Sequence, residues 1–168
     1  MFILKYDPIE KVYGQAAQIW KSLIDNPLMI LRQVIDTCIH IIFQIIQSPS
    51  VELQEMGLAT IRGIVEKMGE KLVGRAIEIF ETELNKAVNK NQTVGVCRAL
   101  FNMASSAPHR LLITISPKLV SILSPYLSAE LQELREWSAK VFITLFQRQT
   151  EKTFVDPILD NSVLIRLK

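Results

Sequence analysis

The chain has 168 residues, of which 49% are hydrophobic, 21% charged and 7% aromatic. This length fits one domain or one stretch of a longer repeat protein, and the apolar fraction excludes an intrinsically disordered chain. The 19 basic and 17 acidic residues leave a net charge of only +2, with the basic residues spread along the chain. Non-specific binding to DNA is therefore not expected.

Cysteine content and hydropathy exclude two further classes of protein. Cys38 and Cys97 are too few for a disulfide framework and too isolated for a zinc site, which favours a reducing, cytoplasmic compartment. The most apolar run, 28–46, is long enough to span a membrane, but Arg32 and Asp36 interrupt it. A charge at membrane depth costs about 2.5–3.5 kcal/mol on insertion scales. We therefore expect a buried helix and no membrane partner.

In chain order, every predicted element is a helix or a short turn. Asp7-Pro8 predicts an N-cap followed by a proline at the first helical position. Apolar residues recur with helical spacing from Leu31 to Ile46 and again from Met56 to Met68. The chain has only 6 glycines and 7 prolines, clustered at intervals typical of helix ends. Further breaks are predicted at 25–27, 48–50, 68–69, 89–91, 107–108, 124–128 and 150–151.

The helices form pairs that repeat about every 40 residues. Four large residues hold equivalent places, 41, 39 and 42 residues apart: Trp20, Ile61, Leu100 and Phe142. Four positions earlier stands a small or short residue, which lets a neighbouring helix approach closely: Ala16, Gly57, Val96 and Ser138. Three and four positions later follows a second apolar step: Leu23 and Ile24, Ile64 and Val65, Met103 and Ala104, Leu145 and Phe146. This pattern predicts an all-α, HEAT-repeat α-solenoid of antiparallel helix pairs.

We expect about four repeats, at approximately 7–48, 49–89, 90–127 and 128–168, the last with a clipped second helix. Each repeat of such an array buries its apolar face only on its neighbours. Both ends of the chain are apolar where a capping repeat would be polar: Phe2, Ile3, Leu4, Val163, Leu164, Ile165 and Leu167. The sequence therefore predicts a fragment of a longer solenoid, or a domain that associates through its ends.

No catalytic, cofactor or metal site is predicted. The segment 69–76 resembles a phosphate-binding loop, but Arg75-Ala76 stand where Lys and Ser/Thr are required, and helices flank it on both sides. His40 and His109 have no companion at metal-ligand spacing, and we expect His40 to be half-buried and hydrogen-bonded. The cysteines fall on apolar stripes and are expected to behave as small hydrophobes. These features argue against an enzyme and against a small-molecule substrate.

Four residues are candidates for contacting a protein partner: Lys71, Arg75, Arg135 and Trp137. Trp137 lies just before Ser138, so it need not share the core stripe. It either fills the groove against the third repeat or is an exposed anchor, since tryptophan is enriched in interface hot spots. Five basic residues lie near the turns of pairs two and three and are expected to be plain solvated side chains, with a mild positive ridge for ribosomal RNA or an acidic partner as the alternative prediction: Lys67, Lys71, Arg75, Arg110 and Lys118.

Four runs in the chain carry a family resemblance. They are AAQIWK at 16–21, GIVEKMGEK at 63–71, GVCRAL at 95–100, and LRE with SAKVF at 134–142. Their order and spacing resemble the general control non-derepressible translational activators. These are very large cytosolic HEAT proteins that bind ribosomes and activate the kinase of translation initiation factor two during amino-acid starvation. The similar part of the family lies toward its C-terminal third.

The resemblance implies a cytoplasmic, non-catalytic scaffold whose partners are the RWD domain of the kinase and the ribosome. The chain departs from the family pattern at Thr93-Val94 and at Trp137, which replaces a small residue, so no kinase-contacting residue is carried over. The alternative is a HEAT adaptor of another class, such as a nuclear transport receptor or a microtubule-binding array. Acidic ladders on the inner helices would favour that alternative, and none is evident.

Overall fold

The computed structural model describes residues 1–150, in which all regular structure is helical. The α-helices are α1 Glu10–Leu23, α2 Pro27–Ile46, α3 Val51–Lys67, α4 Glu70–Lys86, α5 Lys90–Ser106, α6 His109–Leu123 and α7 Gln132–Thr150. Two short 3-10 helices, Ile3–Tyr6 and Ser124–Ser128, precede α1 and α7. The predicted all-α class is confirmed. The expectations for the second helix of repeat four, the break at 150–151 and the apolar C-terminal end fall outside the described residues.

Side-chain caps explain where several helices begin. The side chains of Asn26 and Ser50 each accept a hydrogen bond from the backbone N–H three residues on, at 3.1 and 3.3 Å. Asn89 and Gln92 form a reciprocal capping box at the start of α5. Each cap satisfies backbone donors that have no partner inside the helix. The breaks predicted at 25–27, 48–50 and 89–91 therefore coincide with real helix starts.

The predicted start of the first helix is wrong. Asp7 does not cap it, because its Oδ1 accepts the N–H of Ile9 at 2.8 Å in a local turn. Such an Asx turn competes with the helix for the backbone. The helix consequently begins at Glu10, with Ile9 as an N-cap that offers no side-chain acceptor.

The helices lie in two layers. In one layer α3 packs against α5 and α5 against α7, while in the other α2 packs against α4 and α4 against α6. The connections between successive helices are short, which makes neighbours antiparallel. The layers meet most closely where the second helix of one pair contacts the first helix of the next, as in α2 with α3 and α4 with α5. This stacking of helix pairs is the predicted α-solenoid.

The repeat pattern correctly identifies the core. All four large equivalent residues are buried, and so are the four small ones that precede them: Trp20, Ile61, Leu100, Phe142, Ala16, Gly57, Val96 and Ser138. Gly57 shows why a small residue is needed, because a Cβ there would lie 2.7 Å from Cγ2 of Ile46. The glycine allows the end of α2 to approach α3.

The second apolar step is buried in the two central repeats, whereas at the array's first and last described helices only Leu145 is buried. Leu23 is 76% exposed and Phe146 is 54% exposed, which contradicts the expectation for these positions. Leu23 lies on α1, whose main contact among the described residues is with the 3-10 helix Ile3–Tyr6. The apolar stripe of a helix is fully buried only when a neighbouring helix packs on each side of it.

Helix α1 is attached to the rest of the array through a wedge, defined as residues 2–6. Helices α1 and α3 make few direct contacts, and the 3-10 helix Ile3–Tyr6 lies between them and contacts both. Phe2 is buried, with its ring centroid 5.4 Å from that of Trp20 and 5.7 Å from that of Tyr6. Tyr6 lies against Gly63, where a Cβ would fall 1.7 Å from Oη of Tyr6. The wedge therefore takes the place of direct helix packing.

Two helical stretches are long and apolar enough to cross a membrane by length and composition: α2 and His109–Ser128. In α2, six residues are buried: Leu31, Ile35, Ile39, Ile42, Phe43 and Ile46. The helix packs against α3, α4 and α5. The expectation of a buried helix at 28–46 therefore holds for one face of α2 only, because the opposite face carries apolar side chains that are 38–51% exposed: Leu28, Met29, Val34 and Ile41.

Candidate interaction surfaces

Lys71 and Arg75 line a groove of about 470 Å³ between α4 and α6. On the opposite wall, α6 contributes Ile115 and Lys118. The residues come together because α4 and α6 are adjacent second helices of consecutive pairs. The groove thus joins two candidate residues with Lys118 from the predicted basic ridge.

Ion pairs neutralise much of the positive charge in this groove. Arg75 donates to both carboxylate oxygens of Asp36 on α2, at 2.6 and 3.0 Å, and to Glu78 at 3.2 Å. The guanidinium holds the pKa of the Asp36 carboxyl below its ordinary value. Lys118 Nζ lies 2.5 Å from Oε2 of Glu81. Within residues 1–148, Lys71 is the basic side chain of this groove that has no carboxylate within ion-pair distance, so the ridge is weaker than its residue count suggests.

Trp137 packs against the third repeat. It is half-buried, and its ring centroid lies 5.4 Å from that of Phe101 on α5, with the planes tilted by 56°. Lys140 Nζ lies 4.0 Å from the centre of the same ring, and Arg98 Cζ lies 5.7 Å from it. Cations over an aromatic face are attracted by its quadrupole. Trp137 therefore fills the α5–α7 groove and still presents part of its surface to solvent.

Arg135 stabilises the turn before α7. Its Nη1 donates to the carbonyl oxygens of Ala129 and Glu130, both at 2.7 Å. These bonds satisfy carbonyl groups between the second 3-10 helix and α7. The side chain is exposed, but this role in the turn restricts its freedom to reach a partner.

The four candidate residues form two surfaces and not one. Lys71 and Arg75 belong to the layer of α2, α4 and α6, whereas Arg135 and Trp137 belong to the layer of α3, α5 and α7. We call the first surface the α4–α6 groove and the second the Trp137 surface. A partner that contacts both must reach around the array.

A polar ladder, meaning a series of side-chain hydrogen bonds that links α3, α5 and α7, was not predicted from the sequence. Arg62 donates to Oδ1 of Asn102 at 2.5 Å, and Arg98 donates to Oε1 of Gln54 at 2.6 Å. Arg148 donates to two carbonyl oxygens at the end of α5, both at 2.9 Å. The bonded residues are 40 to 44 positions apart, close to the repeat period. Polar residues recurring at that period are the signal that could have identified the ladder.

The groups with nucleophilic or metal-binding potential are inert or isolated. Burial raises the pKa of the Cys97 thiol to about 12, which keeps it protonated near neutral pH and unreactive. His40 is exposed, with Nδ1 3.6 Å from Glu83, so the expectation that it is half-buried is wrong. Within residues 1–150, no three His, Cys, Asp or Glu residues are placed to hold a metal ion.

Comparisons with known proteins point to one group of relatives. No family model matches the chain. The eIF-2-alpha kinase activator GCN1 of Dictyostelium discoideum is 28% identical over 146 residues, which is 87% of this chain and 5% of that protein. The protein of the same name from Saccharomyces cerevisiae is 26% identical over 159 residues, 95% of this chain and 6% of that one. The human stalled ribosome sensor GCN1 is 27% identical over 124 residues, 74% of this chain and 5% of that one.

Among solved structures, two engineered proteins align with a TM-score of 0.41 and 16% identity. They cover 86% and 85% of this chain, which correspond to 60% and 36% of theirs. The chain spans 5–6% of the length of the GCN1 proteins. The resemblance noted in the four runs is thereby confirmed: this chain is similar, over most of its length, to a segment of the GCN1 proteins.

Proposed function

We propose that this chain is a non-catalytic interaction scaffold in translational control, one segment of a longer HEAT-repeat array in the cytoplasm. The observation that carries the proposal is the similarity to GCN1 over 74–95% of the chain. The names of those relatives describe a kinase activator and a stalled ribosome sensor. The repeats at 7–48, 49–89, 90–127 and 128–168 are the units of the proposed array.

The two-layer architecture supports a bridging role. The α4–α6 groove and the Trp137 surface lie in different layers, so one partner can occupy each. The RWD domain of the initiation-factor kinase is the proposed protein partner, and the ribosome is the second. A rigid array with two separate surfaces can hold two partners at a fixed distance without any chemistry of its own.

A few side chains would supply most of the affinity. Interface energy is concentrated in anchors such as tryptophan and arginine, surrounded by contacts that contribute little. Trp137 presents a partly accessible ring flanked by Lys140 and Arg98, which suits a partner that carries a carboxylate beside an apolar side chain. Lys71 offers an unpaired charge in the α4–α6 groove. Arg75 is a weaker candidate because Asp36 and Glu78 already occupy its donors.

Calorimetric titration of the chain with the isolated RWD domain of the kinase tests the proposal. We expect saturable binding with a Kd in the micromolar range. Lys71→Glu or Trp137→Ala is expected to weaken binding about tenfold, equivalent to about 1.4 kcal/mol. Lys86→Glu is the matched control, because Lys86 is exposed at the far end of α4 and does not line the groove.

Ribosome cosedimentation separates the two parts of the proposal. A folded chain that fails to bind the RWD domain but sediments with ribosomes overturns the kinase contact and leaves the ribosome contact. A folded chain that does neither overturns the proposed function. Thermal melts of every variant verify that lost binding does not reflect lost folding.

A further inference from the structure

The wedge keeps α1 away from α3 and leaves an open groove beside it. This wedge groove has a volume of about 750 Å³. It is bounded by the end of α1, the start of α2, the end of α3 and the wedge itself. Its floor is apolar and consists of side chains that are at most 8% exposed: Phe2, Trp20, Leu31 and Met68. Helix-binding grooves in proteins have this kind of apolar floor.

Three lysines surround the floor, one from each of three elements. Lys5 comes from the wedge, Lys21 from α1 and Lys67 from α3. No carboxylate of the described side chains lies within ion-pair distance of any of them. Among the side chains that the structure describes, Asp25 is the one acidic residue that lines the groove. This contrasts with the α4–α6 groove, in which Arg75 and Lys118 have acidic partners.

Placing lysine ammonium groups beside an apolar surface costs electrostatic free energy, and a bound anionic ligand would reduce this cost. Lys5 Nζ lies 5.7 Å from the ring centroids of both Phe2 and Trp20. Burial and the charge of Lys67 lower the pKa of Lys5 below its ordinary value. Lys5 thus lies beside an apolar surface and near a second ammonium group, with no carboxylate of the described side chains within ion-pair distance. A carboxylate bound next to Lys5 would favour its charged form.

We propose that the wedge groove docks an acidic amphipathic segment of a partner protein. Apolar side chains of the segment enter the groove and pack on its accessible apolar lining, which includes Ala17, Ile24 and the 45% exposed Leu28. Its carboxylates reach Lys5, Lys21 and Lys67. Charge complementarity around an apolar floor specifies the partner and its orientation. The wedge groove goes beyond the function proposed above, because it shares no residue with the α4–α6 groove or the Trp137 surface.

Two other classes of ligand fit the groove less well. Single-stranded nucleic acid binds to surfaces that offer exposed aromatic faces for base stacking, whereas Phe2 and Trp20 are 5% and 8% exposed. A fatty acid carries a single carboxylate, and the three ammonium groups lie on three different elements around the rim. A peptide with several acidic side chains can neutralise all three at once.

Fluorescence polarisation with a designed probe tests this docking site. The probe is a labelled amphipathic helical peptide of about 16 residues, with Leu and Phe at i, i+3, i+4 and i+7 positions and Glu elsewhere. A second peptide has the same apolar pattern with Lys in place of Glu. We expect the complete 168-residue chain to bind the Glu peptide saturably and the Lys peptide at least tenfold more weakly.

Charge-reversal variants assign the binding to the groove. Lys21→Glu and Lys67→Glu each remove an exposed rim charge and are expected to weaken Glu-peptide binding about tenfold. Lys11→Glu is the matched control, since Lys11 is an exposed lysine of α1 that does not line the groove, and it should change the affinity less than about twofold.

Several outcomes would overturn the docking site. These are equal binding of the two peptides, an equal effect of Lys11→Glu and Lys21→Glu, or binding of laurate or of a single-stranded RNA oligomer but of neither peptide. The proposed function is tested separately, by measuring how the same variants bind the RWD domain and ribosomes. The wedge groove is not expected to contribute to either interaction.

Discussion

Helices α1 and α5 carry the same repeat pattern but differ in how much of it is buried. In α1, two of 14 residues are buried, Ala16 and Trp20, whereas in α5 nine of 17 are buried. Helix α5 lies between α3 and α7 and also contacts α4 and α6, while α1 is held mainly through the wedge. The comparison shows that neighbours determine burial in a repeat array. The equivalent apolar stripe is buried in the core in α5 but is largely exposed to solvent in α1.

The largest expected effect comes from truncating an apolar side chain to alanine at equivalent positions of the two helices. Met103→Ala is expected to reduce the free energy of unfolding by about 3 kcal/mol, because Met103, the counterpart of Leu23 in α5, is 1% exposed and a cavity would remain. Leu23→Ala should change it by less than about 0.5 kcal/mol, since Leu23 is mostly exposed. Urea denaturation followed by circular dichroism measures both. Similar losses for the two variants would contradict the comparison.

The wedge gives the second prediction. Gly63→Ala places a methyl group where Tyr6 now lies, and we expect it to cost about 2 kcal/mol through overpacking. Gly14→Ala in α1 is the matched control, because its Cβ position has no described atom within 4 Å other than those of the surrounding turns of its own helix. That change should stabilise the protein by about 0.5–1 kcal/mol through helix propensity.

A double-mutant cycle verifies the cause of the Gly63 effect. Adding Tyr6→Ala removes the clashing ring, so Gly63→Ala should cost much less in that background. Additive costs for the two substitutions would contradict a direct clash, and would mean that α3 itself does not tolerate alanine at this position.

The third prediction concerns α7, which packs directly on α5 without a wedge. Trp137→Ala is expected to cost about 2 kcal/mol, between the values for a core and a surface tryptophan, because the ring is half-buried against Phe101. Trp137→Phe should recover about half of this loss. Thermal unfolding of the unmodified protein, Trp137→Phe and Trp137→Ala measures the order of their stabilities. A change in stability too small to measure would show that the contact with Phe101 contributes nothing.

The last prediction is a pH dependence that originates in α5 and is measured as a slope. The pKa of Cys97 is raised to about 12 in the folded protein, above its ordinary value of 9.0. The unfolded chain therefore loses this proton first, and stability present below pH 9 declines as the pH rises toward 12. The slope reaches at most about 1.4 kcal/mol per pH unit. Urea titrations between pH 8 and 10.5 should show a shallower decline for Cys97→Ala, and an unchanged slope would contradict the burial of the thiol.

Much of the fold could be predicted because the large residues recur at a nearly constant period. The spacing of Trp20, Ile61, Leu100 and Phe142 reflects the nearly constant length of one helix pair with its turns, and all four are buried. The wedge could not be predicted in this way. Residues 2–6 are too few to show a helical period, and their position depends on the contact between Tyr6 and Gly63, which are far apart in the chain.

The interaction surfaces were predictable only in part. The assignment of Lys71 to a second helix and Trp137 to a first helix already implies that they lie in different layers. The neutralisation of Arg75 was not predictable, since Asp36 is 39 residues away and reaches it only after α2 and α4 have packed. The wedge groove was missed for the same reason as the wedge.

The wedge also has a mechanical consequence. It connects α1 to the rest of the array through the side chains of Phe2 and Tyr6, with no continuous helix-to-helix contact behind them. A pulling force applied at the first residue would break the Phe2 contact and then the Tyr6 contact, one after the other, before it acted on α3. The central helices, held on both flanks, would instead share the load in shear. The array should therefore yield at its first helix under a force that leaves the other repeats intact.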